Sequence, residues 1–560
     1  MNFLQAVTTR KSLKRKDLRP GNGGVPTRNQ ERNTKTKPST RTNGLNFCMP
    51  LVLVWAEQLA EVGPMIGNRI AMGVGERKWL IATAALLFTI TTVKAQDTRQ
   101  VTEPKIPAFC VQLPAQLRAM SDRLVEADES KPDTARIQSA IDKCKPGMAV
   151  ELRPASGNNA FLSGPLEMRT GVTLLIDEGV TLFGSRNPTD YEIKTAGATP
   201  GLCGTIAAGA PPAVFPAPQR PAPSRGGCRP FISINDAQNV GIMGDGVIDG
   251  RGYAKLLGKD YSWWEMARKA EPKNERYFTT RMIVASHADG LVLYRITLHN
   301  STNFHVSVNQ TNGFTAWGVH LLTPTTKGMD ARNTDGIDPG SSTNVTVAHS
   351  WIDNGDDNIA IKTGTTHMSV LDNHFYSGHG MSIGSETYTG DSFLLVDGLT
   401  EDHTTSGIRI KSNVTRGGPV HDLTYQNICM RSVKNPIAIS PYYTNQTTEG
   451  FEDPKYTGDR IPDYKAITIR NVVDTTPGDV LIAGLNDDHR SELTLDGVRI
   501  DGITPQQMHG HFATVTLGPM ASNLDFSATD IKVVSAKSAS SDTPAKEAAF
   551  TCDGKFVPMQ

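Results

Sequence analysis

Residues 345–361 read VTVAHSWIDNGDDNIAI, and this stretch contains the pattern that predicts the fold. Alternating apolar residues (VTV) are followed by WI, then by the polar run NGDDN at 354–358, and then by IAI. Asn, Gly and Asp favour turns, whereas β-branched and aromatic residues favour strands, so the stretch indicates short strands joined at a corner. Turn formation alone would also explain the two adjacent carboxylates, and the rest of the chain decides between the two interpretations.

The same arrangement recurs along the chain. Short alternating strands start at Leu291, Phe314, Val345, Met368, Leu423, Ile467 and Leu493. The first four starts are 23, 31 and 23 residues apart, with almost no helical pattern between them. Repetition at this period predicts an all-β right-handed parallel β-helix, a solenoid whose stacked coils share one long core. A β-sandwich is the alternative, although its strands usually recur about every 8–12 residues.

One short helix is predicted at the N-terminal end of the solenoid. Asp133 and Thr134 can cap this helix, and Ile137, Ile141 and Cys144 recur at helical spacing. Because a stack of coils has an open end, we expect the helix to cover that end. Residues 96–560 are therefore expected to form a single β-helix domain, with the Ala/Pro-rich residues 208–226 as a surface loop.

The N-terminal part of the chain differs in charge from the rest. Residues 1–71 carry eight more basic than acidic residues, whereas residues 96–560 carry ten more acidic than basic ones. Residues 72–95 combine a basic start, a short apolar run and a small residue at the end, as secretory signals do. We expect 72–95 to be a signal peptide and 1–71 to be a disordered upstream extension. The alternative is a basic arm with an internal membrane anchor.

Export and charge together limit the partners of the protein. A cleaved signal would send the protein outside the cell, either directly or by way of the periplasm, and would leave no membrane attachment. A mildly acidic body disfavours general binding to nucleic acid, which needs a basic face.

Six of the seven cysteines follow the predicted cleavage point, and an even number in an exported chain is compatible with disulfide bonds. The predicted pairs are Cys110–Cys144 and Cys203–Cys228, because each closes a loop of modest length. Cys429 and Cys552 have no predicted pairing, and buried thiols are the alternative for all six. The spacing of the cysteines and histidines does not indicate zinc.

Four polar clusters follow the repeat at about one coil spacing. They are NTDGID at 333–338, GDDN at 355–358, GHG at 378–380 and RIK at 409–411. Asp335 and Asp356 are 21 residues apart, and His379 follows Asp357 by 22. Such spacings place the clusters on one face of the solenoid. Because neighbouring strand residues point to opposite sides, Asp356 and Asp357 can both face outward only at a corner.

Crowded carboxylates raise the pKa of at least one of them, which leaves a general acid beside general bases, as glycoside hydrolysis requires. Arg409 and Lys411 alternate along one strand, so both can face a groove and bind an anionic substrate. Each group taken alone has a simpler interpretation. Asp335 and Asp338 could be turn residues or calcium ligands, His379 a turn histidine, and the two cations a solvated strand face.

The motifs NTDGID, GDDN, GHG and RIK, in this order, resemble those of the polygalacturonases of glycoside hydrolase family 28, in particular the bacterial endo-polygalacturonases. The resemblance covers about residues 100–500 and extends to FLSGPL at 161–166, LLID at 174–177, SWWE at 262–265 and GMSIGSE at 380–386. Any one motif alone is weak, and the four together are specific. The fold that the resemblance implies is the right-handed parallel β-helix.

The resemblance implies hydrolysis of α-1,4 bonds between galacturonates of demethylated pectin, with inversion at the anomeric carbon. By position, Asp356 corresponds to the general acid. Asp335 and Asp357 correspond to the residues that hold and activate the water. His379 corresponds to the residue beside the acid that tunes its protonation.

The resemblance also implies the substrate-binding residues. Arg409 and Lys411 correspond to the residues that bind the galacturonate carboxylate, and Asn333 lines the site. Tyr443, favoured over Tyr442, matches a tyrosine that follows the RIK motif in the family. No metal and no cofactor are expected.

The sequence therefore predicts a secreted endo-polygalacturonase that acts on polygalacturonate or pectin, as a monomer. An exo-polygalacturonase or a rhamnogalacturonan hydrolase of the same family is the alternative, because a loop at 204–230 or an insert at 444–465 could block one end of the groove. More distant alternatives with this fold are a calcium-dependent pectate lyase and a non-catalytic sugar-binding solenoid or adhesin.

Overall fold

The computed structural model describes residues 96–195, 198, 200–207, 227–273, 275–323, 330–443, 459–535 and 550–559. The predicted extension at 1–71, the predicted signal peptide at 72–95 and the predicted loop at 208–226 lie outside these residues, as does most of the 444–465 insert. The domain boundaries therefore stay a prediction.

The described residues form a right-handed parallel β-helix, as the repeat predicts. Within them, one folded sheet has 22 parallel strands. Its strands are Phe109–Pro114, Met148–Arg153, Ala160–Ser163, Val172–Ile176, Thr181–Gly184, Gly241–Met243, Val247–Asp249, Val292–Tyr294, Thr297–His299, Thr315–Trp317, His320–Leu322, Thr343–Ala348, Trp351–Asp353, Thr366–Leu371, His374–Phe375, Asp391–Asp397, Thr400–Asp402, Pro419–Arg431, Asp463–Asp474, Ser491–Ile500, Ala513–Leu517 and Lys532–Ser535.

A second parallel sheet closes the coils, and 11 of its strands fall within the described residues. They are Leu166–Glu167, Ile232–Asn235, Ile283–Ser286, Val306–Asn309, Ile337–Gly340, Ile359–Ile361, Met381–Gly384, Ser406–Lys411, Asn435–Ser440, Val480–Ala483 and Met508–His511. Two antiparallel pairs stand apart from both sheets. One joins Ala119–Met120 to Arg123–Leu124, and the other joins Ile206–Ala207 to Arg276–Tyr277.

Apolar residues stack in register from coil to coil and form the core. Leu293, Ala316, Val347, Val370 and Val396 are consecutive register partners, and all five are fully buried. Each coil can bury this face only against its neighbours, so the core is as long as the stack. In the sequence, four repeats begin near residues 291, 314, 345 and 368. The strands at these positions all lie in this part of the larger sheet.

Two α-helices and four 3-10 turns occur among the described residues. The helices are α1 (Thr134–Lys143) and α2 (Trp263–Ala270), and the 3-10 turns are Glu126–Ser130, Pro188–Tyr191, Glu271–Lys273 and Pro505–Gln507. The predicted capping helix is α1: it follows Asp133, and its buried Ile137 and Ile141 face the core. No helix among the described residues has the length and apolar character needed to cross a membrane.

The sequence pattern missed α2. Ser262 accepts a hydrogen bond from the Glu265 backbone N–H, and the Glu265 side chain accepts one from the Ser262 backbone N–H, which is a capping box. The two middle residues of this Ser-x-x-Glu signal are Trp263 and Trp264, which are both buried. The helix has only eight residues, about two turns, and apolar periodicity over so short a segment does not distinguish a helix from a strand.

Three disulfides tie the described coils. The structure joins Cys110 to Cys144 and Cys203 to Cys228, the two pairs that loop length favours. It also joins Cys429 to Cys552, for which the sequence offers no pairing, because 123 residues separate the two. That third bond holds the C-terminal residues 550–559 against the side of the stack, where Phe550 and Phe556 pack around it.

The carboxyl group of Glu401 lies inside the apolar stack. Glu401 is the register partner of Met430, is fully buried, and accepts a hydrogen bond from the Met381 backbone N–H at 3.3 Å. Its other oxygen has no hydrogen-bond partner within the described part of the chain. Burial, and secondarily the nearby Asp474, raise the pKa of Glu401 well above its ordinary value, so the folded protein holds this group neutral.

Glu401→Gln should stabilise the protein at alkaline pH. Because the folded pKa is raised, the wild type has its full stability only below the unfolded pKa of Glu401 and loses part of it as the pH rises. Glutamine does not titrate, so the melting temperature of the variant should exceed that of the wild type by about 1–3 °C near pH 8 and match it near pH 4. Thermal unfolding over this range measures it, with the exposed Glu178→Gln as the control. A difference that does not change with pH would contradict it.

Candidate active site

The NGDDN corner is tied to the coils on both sides by its two asparagines. Asn354 and Asn358 are fully buried. The Asn354 side chain donates to the carbonyls of Thr334 (2.8 Å) and Asp357 (2.9 Å). The Asn358 side chain donates to the Ser377 carbonyl at 2.7 Å and accepts from the Gly380 N–H at 2.8 Å. The two asparagines therefore fix the corner to the neighbouring coils from the inside. The side chains of Asp356 and Asp357, which lie between them in the sequence, point away from the core.

Two glycines allow these coils to approach each other. A Cβ on Gly355 would lie 2.1 Å from the Ala331 carbonyl oxygen, and one on Gly380 would lie 1.9 Å from the Ser406 carbonyl oxygen. Any side chain at either position would push the coils apart. This close approach is the reason why GDDN and GHG keep glycine beside their functional residues.

Asp356 is the most accessible of the three aspartates. Its side chain is 21% exposed, against 5% for Asp335 and 1% for Asp357. One of its oxygens lies 3.1 Å from Nδ1 of His379 and accepts from the Asp357 N–H at 2.9 Å. Burial alone would raise the pKa of Asp356, but the hydrogen bond and charge of His379 outweigh it and hold the pKa below the ordinary value.

Asp357 is buried between two cations. Arg409 donates to its Oδ1 at 3.0 Å, together with the Ser382 hydroxyl at 2.9 Å, and Lys411 donates to its Oδ2 at 2.6 Å. Burial would raise the pKa of Asp357, but the charges of Lys411 and Arg409 hold it well below its usual range. Asp357 is therefore a permanent carboxylate with both oxygens engaged.

Asp335 lies on the preceding coil, and its pKa is shifted in the direction opposite to that of Asp357. Burial, followed by repulsion from Asp338 and Asp356, raises its pKa well above the ordinary value. Lys362 opposes this rise, with Nζ 3.9 Å from Asp335 Oδ2. Asp338 is buried, has no hydrogen-bond partner for either carboxylate oxygen among the described residues, and has its pKa raised by burial to about 7.

The sequence-based expectation that crowding raises one pKa therefore holds for Asp335 and not for Asp356. His379 makes the difference, because it lies beside Asp356 and stabilises the ionised form. Asp335 has instead the second carboxyl of its own motif, Asp338, as its neighbour.

The other residues of the predicted site lie around these carboxyl groups. The Asn333 amide nitrogen donates to Asp356 Oδ2 at 3.4 Å. The Tyr443 ring lies 5.6 Å from the Arg409 guanidinium carbon and 5.3 Å from the Lys411 nitrogen. Tyr442 instead turns inward, where it is 5% exposed and donates to the Leu485 carbonyl. The structure thus brings all eight predicted site residues together on one face.

Two further residues at the site were not predicted from the sequence. Lys362 follows the strand after NGDDN, where the sequence alone indicates only an exposed lysine. Tyr277 lies on a short strand outside the coils, and no repeat signal covers it. Its hydroxyl donates to Asn333 Oδ1.

Known proteins resemble this chain over most of its length. The family model for "Glycosyl hydrolases family 28" matches residues 170–517. An endo-polygalacturonase of Pectobacterium carotovorum subsp. carotovorum is 39% identical over 411 residues, which are 72% of this chain and 90% of that protein. A polygalacturonase of Ralstonia solanacearum is 34% identical over 522 residues, 82% of this chain and 93% of the relative. The chain belongs to glycosyl hydrolase family 28.

A solved structure agrees with this assignment. A polygalacturonase from Erwinia carotovora ssp. carotovora superposes with a TM-score of 0.61 at 36% identity, over 77% of this chain and all of that one. An exopolygalacturonase from Thermotoga maritima, at 17% identity and a TM-score of 0.55, shares the fold. The chain is a family 28 glycoside hydrolase with polygalacturonases among its relatives.

The family 28 site also contains a set of possible metal ligands. Asp356, Asp357 and His379 offer ligand atoms within 4.8 Å of one another. Both oxygens of Asp357 are, however, already engaged by Lys411 and Arg409. A divalent cation would therefore have to compete with these two cations for Asp357.

Asp338→Asn should shift the pH dependence of this family 28 enzyme. Removing the charge of Asp338 lowers the pKa of Asp335, so Asp335 stays ionised to lower pH. If Asp335 acts as a base, the acidic limb of kcat/KM should move to lower pH, as measured by a pH profile. Ser307→Ala, at the register partner of Asp338, changes no charge and should leave the limb in place. An unmoved limb in Asp338→Asn would remove Asp335 from the base role.

Proposed function

We propose that the protein is a secreted, monomeric endo-polygalacturonase that hydrolyses α-1,4-galacturonosyl bonds of demethylated pectin with inversion. The observation that carries this proposal is the arrangement on three successive coils. The accessible carboxyl of Asp356 is hydrogen-bonded to His379. Beside it lies the buried carboxylate of Asp357, which Arg409 and Lys411 bind.

Asp356 is the proposed general acid. It is the most exposed carboxyl of the three and so the one that can reach the glycosidic oxygen. In the free site the proton of this pair is held in the hydrogen bond between His379 and Asp356. When a polyanionic substrate enters and displaces water, its negative charge favours the neutral carboxyl, so the proton moves onto Asp356 Oδ1. From there it passes to the leaving oxygen.

Asp357 and Asp335 are the proposed residues for the attacking water. A carboxylate with both oxygens held by cations is a poor nucleophile towards carbon, which favours attack by water and therefore inversion. Asp335 approaches from the preceding coil and accepts the proton of the water once it is ionised. Lys362 favours that ionised form.

Arg409 and Lys411 are the proposed anchors of a galacturonate carboxylate. Each uses part of its donors on Asp357 and keeps others, since a guanidinium has five N–H groups and an ammonium has three. Tyr443 lies against both cations and can cover the sugar that they bind. A neutral sugar would offer no anion to the donors that Asp357 leaves free on these two cations, so the site favours a uronate chain.

Endo action is supported by the groove floor, which continues past the site in both directions. Beyond Arg409 and Lys411, the register partners are Ala438 and Ser440. On the other side, Gly340, Asn309 and Ser286 are consecutive partners. These are small or uncharged polar residues, so at these positions the described coils present no bulky or charged side chain to a bound polymer.

Viscosity and reducing ends, measured together on polygalacturonic acid, test the proposed mode. Endo action predicts that viscosity collapses while only a small fraction of bonds has been cut. Preserved viscosity during reducing-end release would mean exo action, and no activity on this polymer but activity on a rhamnogalacturonan would mean the other enzyme of the family.

Export is proposed from the signal-like residues 72–95. N-terminal sequencing of protein recovered outside the cell tests it, and the expected mature end lies near Gln96. A mature end far upstream would instead make residues 1–71 a true part of the protein.

A further inference from the structure

A positioning arm made of α2, the 3-10 turn Glu271–Lys273 and the strand Arg276–Tyr277 contacts the catalytic corner. Arg268 in α2 donates to the Asp330 carbonyl at 2.6 Å. Glu271 pairs with Arg332 at 2.8 Å. Each of these contacts fixes a residue just before the NTDGID motif. A third contact, from Tyr277 at the end of the arm, reaches the motif itself.

The arm is held firmly at its far end. Tyr277 pairs with Ile206 in a short antiparallel ribbon, and the Phe278 N–H donates to the Thr205 carbonyl at 3.0 Å. The disulfide Cys203–Cys228 closes the segment that supplies the other strand of this ribbon. Tyr277 therefore projects from a support that is covalently and hydrogen-bond tethered, rather than from a free loop.

The Asn333 amide lies between Tyr277 and Asp356. The Tyr277 hydroxyl donates to Asn333 Oδ1, so the amide nitrogen is left to face Asp356 Oδ2 at 3.4 Å. A phenol that stays protonated is a donor to this oxygen, and burial together with Glu271, Asp356 and Asp335 raises the pKa of Tyr277 further. The contact to Asp356 is long, as such contacts often are before substrate binds.

We propose that Tyr277 is a positioning residue for the general acid, acting through the orientation of the Asn333 amide. Without the phenol, both amide orientations are open, and one of them turns Oδ1 towards the carboxylate of Asp356. In that orientation Asn333 Oδ1 repels the ionised carboxylate of Asp356 and moves its side chain away from the position needed for proton transfer. The proposal rests on the proposed role of Asp356 as the acid.

The same contact has a consequence for pH dependence. A donor to Asp356 stabilises its ionised form, so loss of the oriented amide favours the protonated form and moves the alkaline limb of kcat/KM to higher pH. The other groups around the acid stay in place in a Tyr277 variant. Those facing Asp356 are His379, Asp357, Asp335 and Lys411, and those facing Tyr277 are Glu271, Asp335, Asp356 and Arg281.

The test is Tyr277→Phe, with Tyr261→Phe as its matched control. Tyr261 also donates its hydroxyl near the arm, to the Gly204 carbonyl at 2.8 Å, but it does not touch the site. We expect kcat on polygalacturonate to fall about tenfold in Tyr277→Phe, the kinetic equivalent of one hydrogen bond, with KM within about twofold. The alkaline limb should move up in Tyr277→Phe and stay in place in Tyr261→Phe.

A double-variant cycle with Asn333→Gly distinguishes positioning from a general defect. Asn333 has a φ of 53°, so glycine keeps its backbone conformation while removing the amide. In the Asn333→Gly background, Tyr277→Phe should cause no further loss. An equal loss in both backgrounds would overturn the proposal, because Tyr277 would then act on the substrate or on the fold.

Two other outcomes are equally decisive. A Tyr277→Phe enzyme indistinguishable from Tyr261→Phe in kcat and pH profile would overturn the positioning role while leaving the proposed function intact. Asp356→Asn, measured in parallel, tests the proposed function separately: near-full activity there would mean that Asp356 is not the acid, whatever the Tyr277 variants show.

Discussion

Asp356→Asn lowers kcat on polygalacturonate at least about 100-fold, the lower range for the loss of a general acid, and leaves the protein folded. Asparagine keeps the size of the side chain and can still contact His379, but it has no proton of suitable acidity to give to the leaving oxygen. The side chain is partly exposed, and the oxygen that accepts from the Asp357 N–H is kept in asparagine, so little of the fold depends on its charge.

Steady-state kinetics with thermal unfolding measure this prediction. Asp372→Asn is the matched control, because Asp372 lies in the coil that follows and its side chain is 67% exposed. We expect Asp372→Asn to keep wild-type activity and both variants to melt within a few degrees of the wild type. An Asp356→Asn enzyme with more than about a tenth of wild-type kcat would mean that another group donates the proton.

Lys411→Met should damage both stability and activity. Lys411 is the 2.6 Å partner of Asp357, whose side chain is 1% exposed, and removal of one partner of a buried ion pair typically costs about 3–5 kcal/mol. Arg409 then remains as the only cation hydrogen-bonded to this carboxylate among the described residues. Loss of an anchor for the galacturonate carboxylate should raise KM, and a less firmly ionised Asp357 should lower kcat.

The pH dependence of this effect has a defined sign. The lowered pKa of Asp357 contributes stability that is present above its unfolded pKa and is lost as the pH falls through the folded pKa. Lys411→Met reduces that contribution, so the deficit should be largest near neutral pH and shrink in strong acid. Denaturant unfolding at several pH values measures it, with the exposed Lys434→Met as the control. Wild-type stability at neutral pH would contradict the importance of this ion pair.

The fold could be predicted because coil stacking leaves a direct mark on the sequence. Val347 and Val370 are register partners 23 residues apart, and the same period spaces Asp356 from His379. Repeat period and site spacing are therefore one signal, which is why the spacing of the motifs was enough to assign them to one face of the solenoid. The helix α1 could be predicted for a related reason, since its two buried isoleucines recur at helical spacing.

What the sequence did not reveal depends on contacts between distant residues. Tyr277 reaches Asn333 across 56 residues through an arm that lies outside the repeat, and Cys429 meets Cys552 across 123. The clamping role of Asn354 and Asn358 was also hidden, because a turn needs the same residue types that these internal hydrogen bonds need. The lowered pKa of Asp356 follows from His379 on the next coil, and the raised pKa of Asp335 follows first from its burial, which the sequence does not show directly.

Proton NMR of the first products formed from polygalacturonate, with a chelator present, tests the proposed hydrolytic mechanism most directly. Attack by water opposite the leaving group predicts that new reducing ends appear first as the β-anomer, and only later equilibrate with the α-anomer, with no unsaturated uronate formed. Initial α-anomer would mean retention, with a carboxylate as nucleophile. Unsaturated product that forms only when calcium is added would mean elimination, and would contradict the proposed roles of all three aspartates.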